Sequence, residues 1–263
     1  MIAAKTWREI RLTTILYVLL LQGLLAIAIF QWPGLRDDTA KLAGLKFLLP
    51  ADFMRRWVDG VMGDSPYQAY ISIQMFFKGI NIVGIATACL FGTAVIARER
   101  ESHTLEGLLS RPWSRSRILF SKFGVLATAI VVPIFLTSWT AIPLSWMIDE
   151  ELSLTRITMG AAHAAAFCIM FLALTTAFSV RLRSQVDVAF VVGAIIVFQV
   201  CIYFIPEVRV LSLFRLSDYD VYWPILAGSS GIAEHRTLQA IWLALAALVL
   251  YGLADRLFQR AEL

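Results

Sequence analysis

The chain has 263 residues, of which 59% are hydrophobic and 16% charged, with a formal net charge of +4 and a mean hydropathy of +0.73. Soluble domains carry roughly 45–50% apolar residues, so a soluble globular protein is excluded. The excess of basic residues then belongs to membrane flanks, and nucleic acid is not expected as a partner.

The apolar residues fall in blocks about 20 long, the length a helix needs to cross a hydrocarbon core of roughly 30 Å. A barrel would show alternating segments of about ten residues instead. The expected fold is an all-α integral membrane protein, a single transmembrane domain over 1–263 with six spans at about 13–30, 71–97, 122–148, 157–180, 186–205 and 238–254. Lys and Arg concentrate at both termini and in the second and fourth connections: Lys5, Arg8, Arg11, Arg98, Arg100, Arg111, Arg115, Arg117, Arg181, Arg183, Arg256 and Arg260. The opposite loops offset their basic residues with many Asp and Glu. The distribution orients both termini and the segment 98–121 toward the cytoplasm.

In chain order, the segment before the first span sets Lys5, Arg8 and Arg11 on one helical strip. It reads as a short surface helix before the chain turns inward, or as a basic flank that only sets orientation. The first span, weakly ended and without a small-residue cleavage site after it, reads as a retained helix rather than a cleaved leader. The outer loop 31–70 holds two amphipathic pieces, one with Leu42, Leu45 and Leu49, the other with Phe53, Trp57 and Val61. In the second span, a wheel at 100° per residue puts Gln74, Lys78, Asn81, Ala88 and Gly92 on one face. Gln74, Lys78 and Asn81 are candidates for lining a substrate path, since an ionisable residue inside a span is a functional signal. Lys78 reaching up to the outer interface is the alternative.

The segment Ala97–Phe123 follows. Glu99, Glu101 and Glu106 precede a basic run from Arg111, and Leu105, Leu108 and Leu109 give a short helix one apolar edge. Ser102 or Thr104 can cap that helix, Pro112 stops it and Ser114 can cap the next. A turn needs only a few residues. An apolar edge bracketed by both charge signs has the makeup of a surface that a protein partner grips.

Further on, His163 lies among alanines and reads as a buried, hydrogen-bonded histidine. Gln199 and Tyr203 share a face of the fifth span and are a second pair of candidate lining residues. Trp32, Trp139, Trp146, Trp223 and Trp242 read as interface anchors. The last outer loop, 206–237, carries turn signals at Trp223–Pro224 and Gly228–Gly231. Cys89, Cys168 and Cys201 show neither a CxxC pair nor a histidine at ligand spacing, so no metal site is expected and they read as packing residues. No GxxxxGK[ST], HExxH or GxSxG motif is present, so the chain is expected to be no enzyme and to bind no cofactor itself.

The stretch ERESHTLEGLLSRPWSRSRILFSKF resembles the segment after the second span in ABC-2 type permeases, the membrane subunits of a large class of ATP-binding-cassette transporters. The resemblance rests on Arg100, Glu101, Ser102, Thr104, Leu105, Glu106, Leu108, Leu109, Ser110, Pro112, Ser114, Arg115 and Lys122. Departures are His103 where glycine is usual, Gly107 where a bulky residue is usual, and Ser121. The resemblance implies a coupling helix that docks in a cleft of a separate ATPase subunit, with Glu99, Arg100, Glu101, Thr104, Leu105, Leu108, Leu109, Arg111 and Pro112 as coupling residues. Glu99, Glu101 and Arg111 would be rim contacts, and Leu105, Leu108 and Leu109 anchors.

It further implies two ATPase copies that bind ATP and Mg, a second permease copy (a homodimer preferred over a heterodimer) in the lipid of a prokaryotic inner membrane, and export as the direction. The alternative expectation is a gradient-driven carrier or a membrane scaffold without an ATPase.

Overall fold

A computed structural model describes residues 2–37, 52–110, 112–228 and 232–260; of Asp37, residues 52–54, Leu108, Leu109 and residues 232–237 only the backbone is described. The described residues are nearly all helical, with no strand, and six helices are long and apolar enough to span a membrane: Ile2–Arg36, Pro66–Glu101, Arg115–Trp146, Leu154–Arg181, Gln185–Phe204 and Leu238–Arg260. They are called the first to sixth spans; the ends on the side of Ala97–Glu101 are labelled inner and the opposite ends outer. Each contains the span expected from hydropathy apart from a residue or two at the outer ends, because the helices also run on into the polar flanks.

The first span decides against one of the two readings of its entry. No separate surface helix precedes it: one helix runs Ile2–Asp37. Nothing between Ile2 and Thr14 breaks a helix, and Thr6 and Thr14 return their hydroxyls to the carbonyls of Ile2 and Ile10. A single buried stripe, Ile2, Ile10, Tyr17, Leu21, Leu25, Ala28 and Trp32, continues from the basic flank to the far end. Trp32, read as an interface anchor, is buried between Tyr67 and Tyr70 and donates its Nε1–H to Glu150 at 2.7 Å. Trp139, Trp146 and Trp242 are exposed on the surface.

The second and fourth spans form the centre. In each, 67% of the apolar stretch is buried inside the subunit, against 17% in the fifth and sixth, so these two are the core and the others wrap it. Their contact depends on mutual notches. A Cβ on Gly84 would lie 2.6 Å from Cys168 Sγ, one on Gly92 2.5 Å from Thr175 Cβ, and one on Gly160 2.8 Å from the Phe76 ring. Phe76 of the second span thus enters a gap in the fourth, while Cys168 and Thr175 of the fourth enter gaps in the second. With no hydrophobic force between helices in lipid, such close approach is what holds them.

Ser72–Val83, in the outer half of the second span, is a π-helix between the α-helical pieces Pro66–Ile71 and Gly84–Thr93. With about 4.4 residues per turn instead of 3.6, each residue there advances about 80°, and the single polar face expected at 100° divides. Lys78 turns outward, whereas Asn81 turns inward and is 2% exposed.

At the outer end, Asp52–Val61 is a helix, as its pattern suggests, with Val58 and Val61 buried. The piece with Leu42, Leu45 and Leu49 lies outside the described residues. The last loop differs from its reading as a turn at Trp223–Pro224: a helix, Tyr219–Ala227, continues through Pro224. It ends where Gly228 takes a left-handed φ of 78°, and Arg156 donates to the freed carbonyls of Leu226 and Ala227.

Replacing Gly92 by leucine should therefore force the two central spans apart. The expected cost is about 1–3 kcal/mol, read as a lower melting temperature and a smaller monodisperse fraction in mild detergent. Gly193→Leu, where an added Cβ meets nothing within 4 Å, should leave both unchanged, and equal effects of the two would rule the notch account out.

Candidate functional site

The second span does not run straight into the third. Its α-helix stops at Thr93, a turn follows, and two short helices, Ala97–Glu101 and Leu105–Leu109, form an elbow across the inner ends of the spans. Breaking a helix here frees backbone groups in a buried place, where an unpaired group costs about 1–3 kcal/mol. Ser179 of the fourth span satisfies three of them: its hydroxyl accepts from the amides of Ile96 (3.1 Å) and Ala97 (3.0 Å) and donates to the carbonyl of Thr93 (3.1 Å).

The first elbow helix then presents Glu99 inward. The residue is 5% exposed and its carboxylate is surrounded by donors. Lys122 of the third span approaches Oε1 at 2.9 Å and Lys5 of the first span at 3.2 Å. Thr104 donates its hydroxyl to Oε2. Lys122, itself 4% exposed, also donates to the Val95 carbonyl at 2.9 Å. A buried carboxylate needs a paired charge and hydrogen bonds on its remaining lone pairs, and both are present.

The adjoining residues fasten the elbow sideways. Arg100 donates to the carbonyls of Leu182 (2.6 Å) and Val180 (3.1 Å), which the end of the fourth span leaves open. Glu101 accepts from the amide of Gln185 at the start of the fifth span, at 3.2 Å. Beyond the elbow, Ser114 caps the third span by accepting from the Arg117 amide, as its position in the sequence suggests. Arg115 and Ser116 reach the Phe258 and Gln259 carbonyls and the Asp255 carboxylate of the sixth span. Every span's inner end is thus tied to the elbow or to the residues that leave it.

Of the expected coupling residues, Glu99 and Leu105 are buried within the chain and Arg100 is partly buried, whereas Glu101, Thr104 and Pro112 are exposed. Arg111 and the side chains of Leu108 and Leu109 lie outside the described residues. Thr104 occupies the capping position of the second elbow helix, but its hydroxyl serves Glu99 rather than that helix. His103, at the position where the resemblance leads one to expect glycine, has φ 53°: the turn does require the left-handed conformation, and a histidine takes it at a cost of about 1–2 kcal/mol. Arg98, His103 and Glu106 complete the exposed surface.

The candidate lining residues do not come together. Asn81 donates to the Ser217 carbonyl and hydroxyl, both at 2.8 Å, and accepts from Tyr222 at 3.0 Å. Gln199 accepts from the Leu213 amide at 2.8 Å. Tyr203 is buried under the Arg209 guanidinium, whose carbon is 4.7 Å from the ring centroid. All three hold the outer loop in place. Arg209 also pairs with Asp218, a carboxyl that burial and the neighbouring Asp220 push up and Arg209 pulls down. His163 is buried, with Nε2 2.7 Å from the Leu216 carbonyl. Gln74 is half-buried and Lys78 exposed. No group of ligands able to hold a metal ion occurs among the described residues.

Sequence reasoning missed Ser179, and it missed that Glu99 and Lys122 meet. The second carried a partial signal: two opposite charges at the inner ends of consecutive spans, with Lys122 set in apolar sequence.

A family profile described as ABC-2 family transporter protein matches residues 5–216. No curated protein matches the chain. The matched region takes in the elbow and the first five spans.

Two stability measurements test the geometry. Glu99→Gln or Lys122→Met alone should each destabilise the protein by about 3–5 kcal/mol, and the double variant should recover most of the loss, as read by thermal unfolding in detergent. An additive double variant would show that the pair does not act as a unit. His103→Gly should raise stability by about 1 kcal/mol, the relief of the left-handed strain being partly offset by the freedom glycine has when unfolded; an unchanged or lowered melting temperature would contradict this.

Proposed function

The chain belongs to the ABC-2 family of transporter proteins, and from that premise we propose that it is the permease half of an ATP-driven transporter whose elbow receives the force of a separate ATPase chain. The observation that carries the proposal is the convergence of the inner ends of all six spans, through polar contacts, on the elbow or on the residues that leave it. A loop that only reversed the chain would need no ion pair at Glu99, no backbone capping by Arg100 and no link to the first span through Lys5.

The roles divide by exposure. Arg98, His103, Thr104, Glu106 and Pro112, with the apolar edge that the sequence assigns to Leu108 and Leu109, form the face toward the ATPase; Arg111 belongs to it by sequence. Glu99, Arg100, Glu101 and Leu105 fix that face to the spans. Two ATPase copies, which bind ATP and Mg, close on each other, push two elbows, and switch a dimer of this chain between inward-facing and outward-facing states. Both termini are cytoplasmic, the direction is export, and the setting is a prokaryotic inner membrane. A homodimer is the simplest assembly in which two such faces meet two identical ATPases. The substrate path runs along surfaces the single subunit leaves uncovered, Lys78 among them.

The test is a mild-detergent pull-down of the tagged chain from its native host, with ATP hydrolysis assayed in the eluate. A stoichiometric Walker-motif protein should come down with the wild type and be lost at least about tenfold with Glu106→Arg or Leu108→Asp. It should be retained with Glu151→Arg at the outer end. The chain coming down alone after crosslinking, or both elbow variants binding normally, would refute the docking role.

A further inference from the structure

Span surfaces facing away from the subunit are apolar almost everywhere. The first span exposes Leu12, Leu16, Leu19 and Ile27, the fifth Phe190, Val197 and Phe198, and the sixth Trp242, Leu248 and Val249, as lipid requires. Charged residues in the spans lie near their ends or, like Lys122, are buried. Lys78 is different. It is exposed in the interior of the second span, one of the two most buried spans, and has no ion-pair partner among the described residues.

Its depth follows from the packing. Gly84 meets Cys168 near the midpoint of the fourth span. Lys78 lies six positions toward the outer end, about 8 Å from that level and well within a hydrocarbon half-thickness of about 15 Å. Its strip is narrow. The π-helix lines up Gln74 and Lys78 with Ile82, and the α-helix below continues the strip with Ala86 and Leu90. Ile82 and Leu90 are 54% and 57% exposed, while Val83 and Cys89 beside them are half-covered. The strip therefore has a cation and an amide at one end and an apolar track, about one side chain wide, toward the middle of the membrane.

We propose that this strip binds a single-chain amphiphilic anion, its acid group on Lys78 and Gln74 and its hydrocarbon along Ile82, Ala86 and Leu90, and that this class of compound is the cargo. A soluble polyanion would need more donors than one cation and one amide, and a two-chain lipid would need a broader track. The proposal rests on the transporter reading, which makes an uncovered strip on a core span part of the substrate path. It gives the π-helix a function, since an α-helix through Ser72–Val83 would carry Lys78 and the inward Asn81 on one face.

The experiment uses the full chain in phosphatidylcholine nanodiscs and two photoactivatable probes with the same alkyl chain, one ending in a carboxylate and one in a quaternary ammonium. Label on the second span is located by mass spectrometry. The carboxylate probe should label it, with a fall of about tenfold in Lys78→Met and retention in Lys78→Arg; the ammonium probe should label weakly and independently of residue 78. Equal labelling by both probes, or no change in Lys78→Met, overturns the proposal and leaves Lys78 a snorkelling residue. Competition by added phosphatidylglycerol would make the occupant a phospholipid and overturn the single-chain assignment. Labelling is read on this chain without ATP, so absence of an ATPase in the pull-down would sink the transporter reading separately.

Discussion

The structure depends on a carboxylate placed where water does not reach it. Glu99 sits at the junction of the second span, the elbow, the third span and the first, and its charge is tolerable only while Lys122, Lys5 and Thr104 remain around it. Removing an ion from water costs several kcal/mol, so Glu99 and Lys122 act as one constraint: neither can leave without stranding the other's charge, while Lys5 and Thr104 satisfy the rest of the carboxylate. This constraint converts a short interrupted loop into a rigid piece. Around it most of the remaining inner contacts are side chains meeting backbone groups that helix ends leave open. Ser179 does so at the break in the second span, Arg100 at the end of the fourth, and Glu101 at the start of the fifth.

A rigid elbow suits a transporter subunit. A force at its exposed face reaches the spans through contacts whose loss is costly, so little is absorbed by local bending. The outer end is fastened by other means. There the polar groups of Asn81, Gln199 and Tyr203 hold the last loop, and Arg156 closes the end of the helix that lies over it. Residues that looked like a lining in the sequence thus form the frame of the outer cap, leaving Lys78 and Gln74 as the polar positions on the uncovered strip.

The sequence made the six spans legible because length and hydropathy alone decide whether a segment can cross a bilayer. Ser114 was legible as a cap, and the glycine-requiring turn at His103 as a departure, because each depends on its own neighbours in the chain. Three things were not. The unbroken first helix was obscured by the change from basic to apolar composition, which marks the membrane surface and not a helix end. The π-helix was hidden because its register is chosen by packing against the fourth span and the outer loop, and wheel analysis assumes 100° per residue. The Glu99 cluster joins positions 5, 99, 104 and 122, and a sequence read segment by segment assigns each a separate role: orientation for Lys5, rim contact for Glu99, cap for Thr104. Trp32 shows the same limit, since burial between two tyrosines and an anchoring role at the interface call for the same residue at the same end of a span.

The mutual notches of the second and fourth spans bear on how this chain can diverge. Phe76 fills the gap at Gly160, and Thr175 fills the gap at Gly92; neither helix is simply the smooth one. Enlarging any of these glycines requires a smaller residue across the contact, so a change on one span survives in the company of its answering change on the other. Because the knobs point both ways, compensation cannot come from sliding one helix along its neighbour: relief at one level would create a collision at the next. The two spans are therefore bound to drift as a couple, and homologous chains should carry the trace of that bond as paired exchanges at 76 with 160, 84 with 168, and 92 with 175.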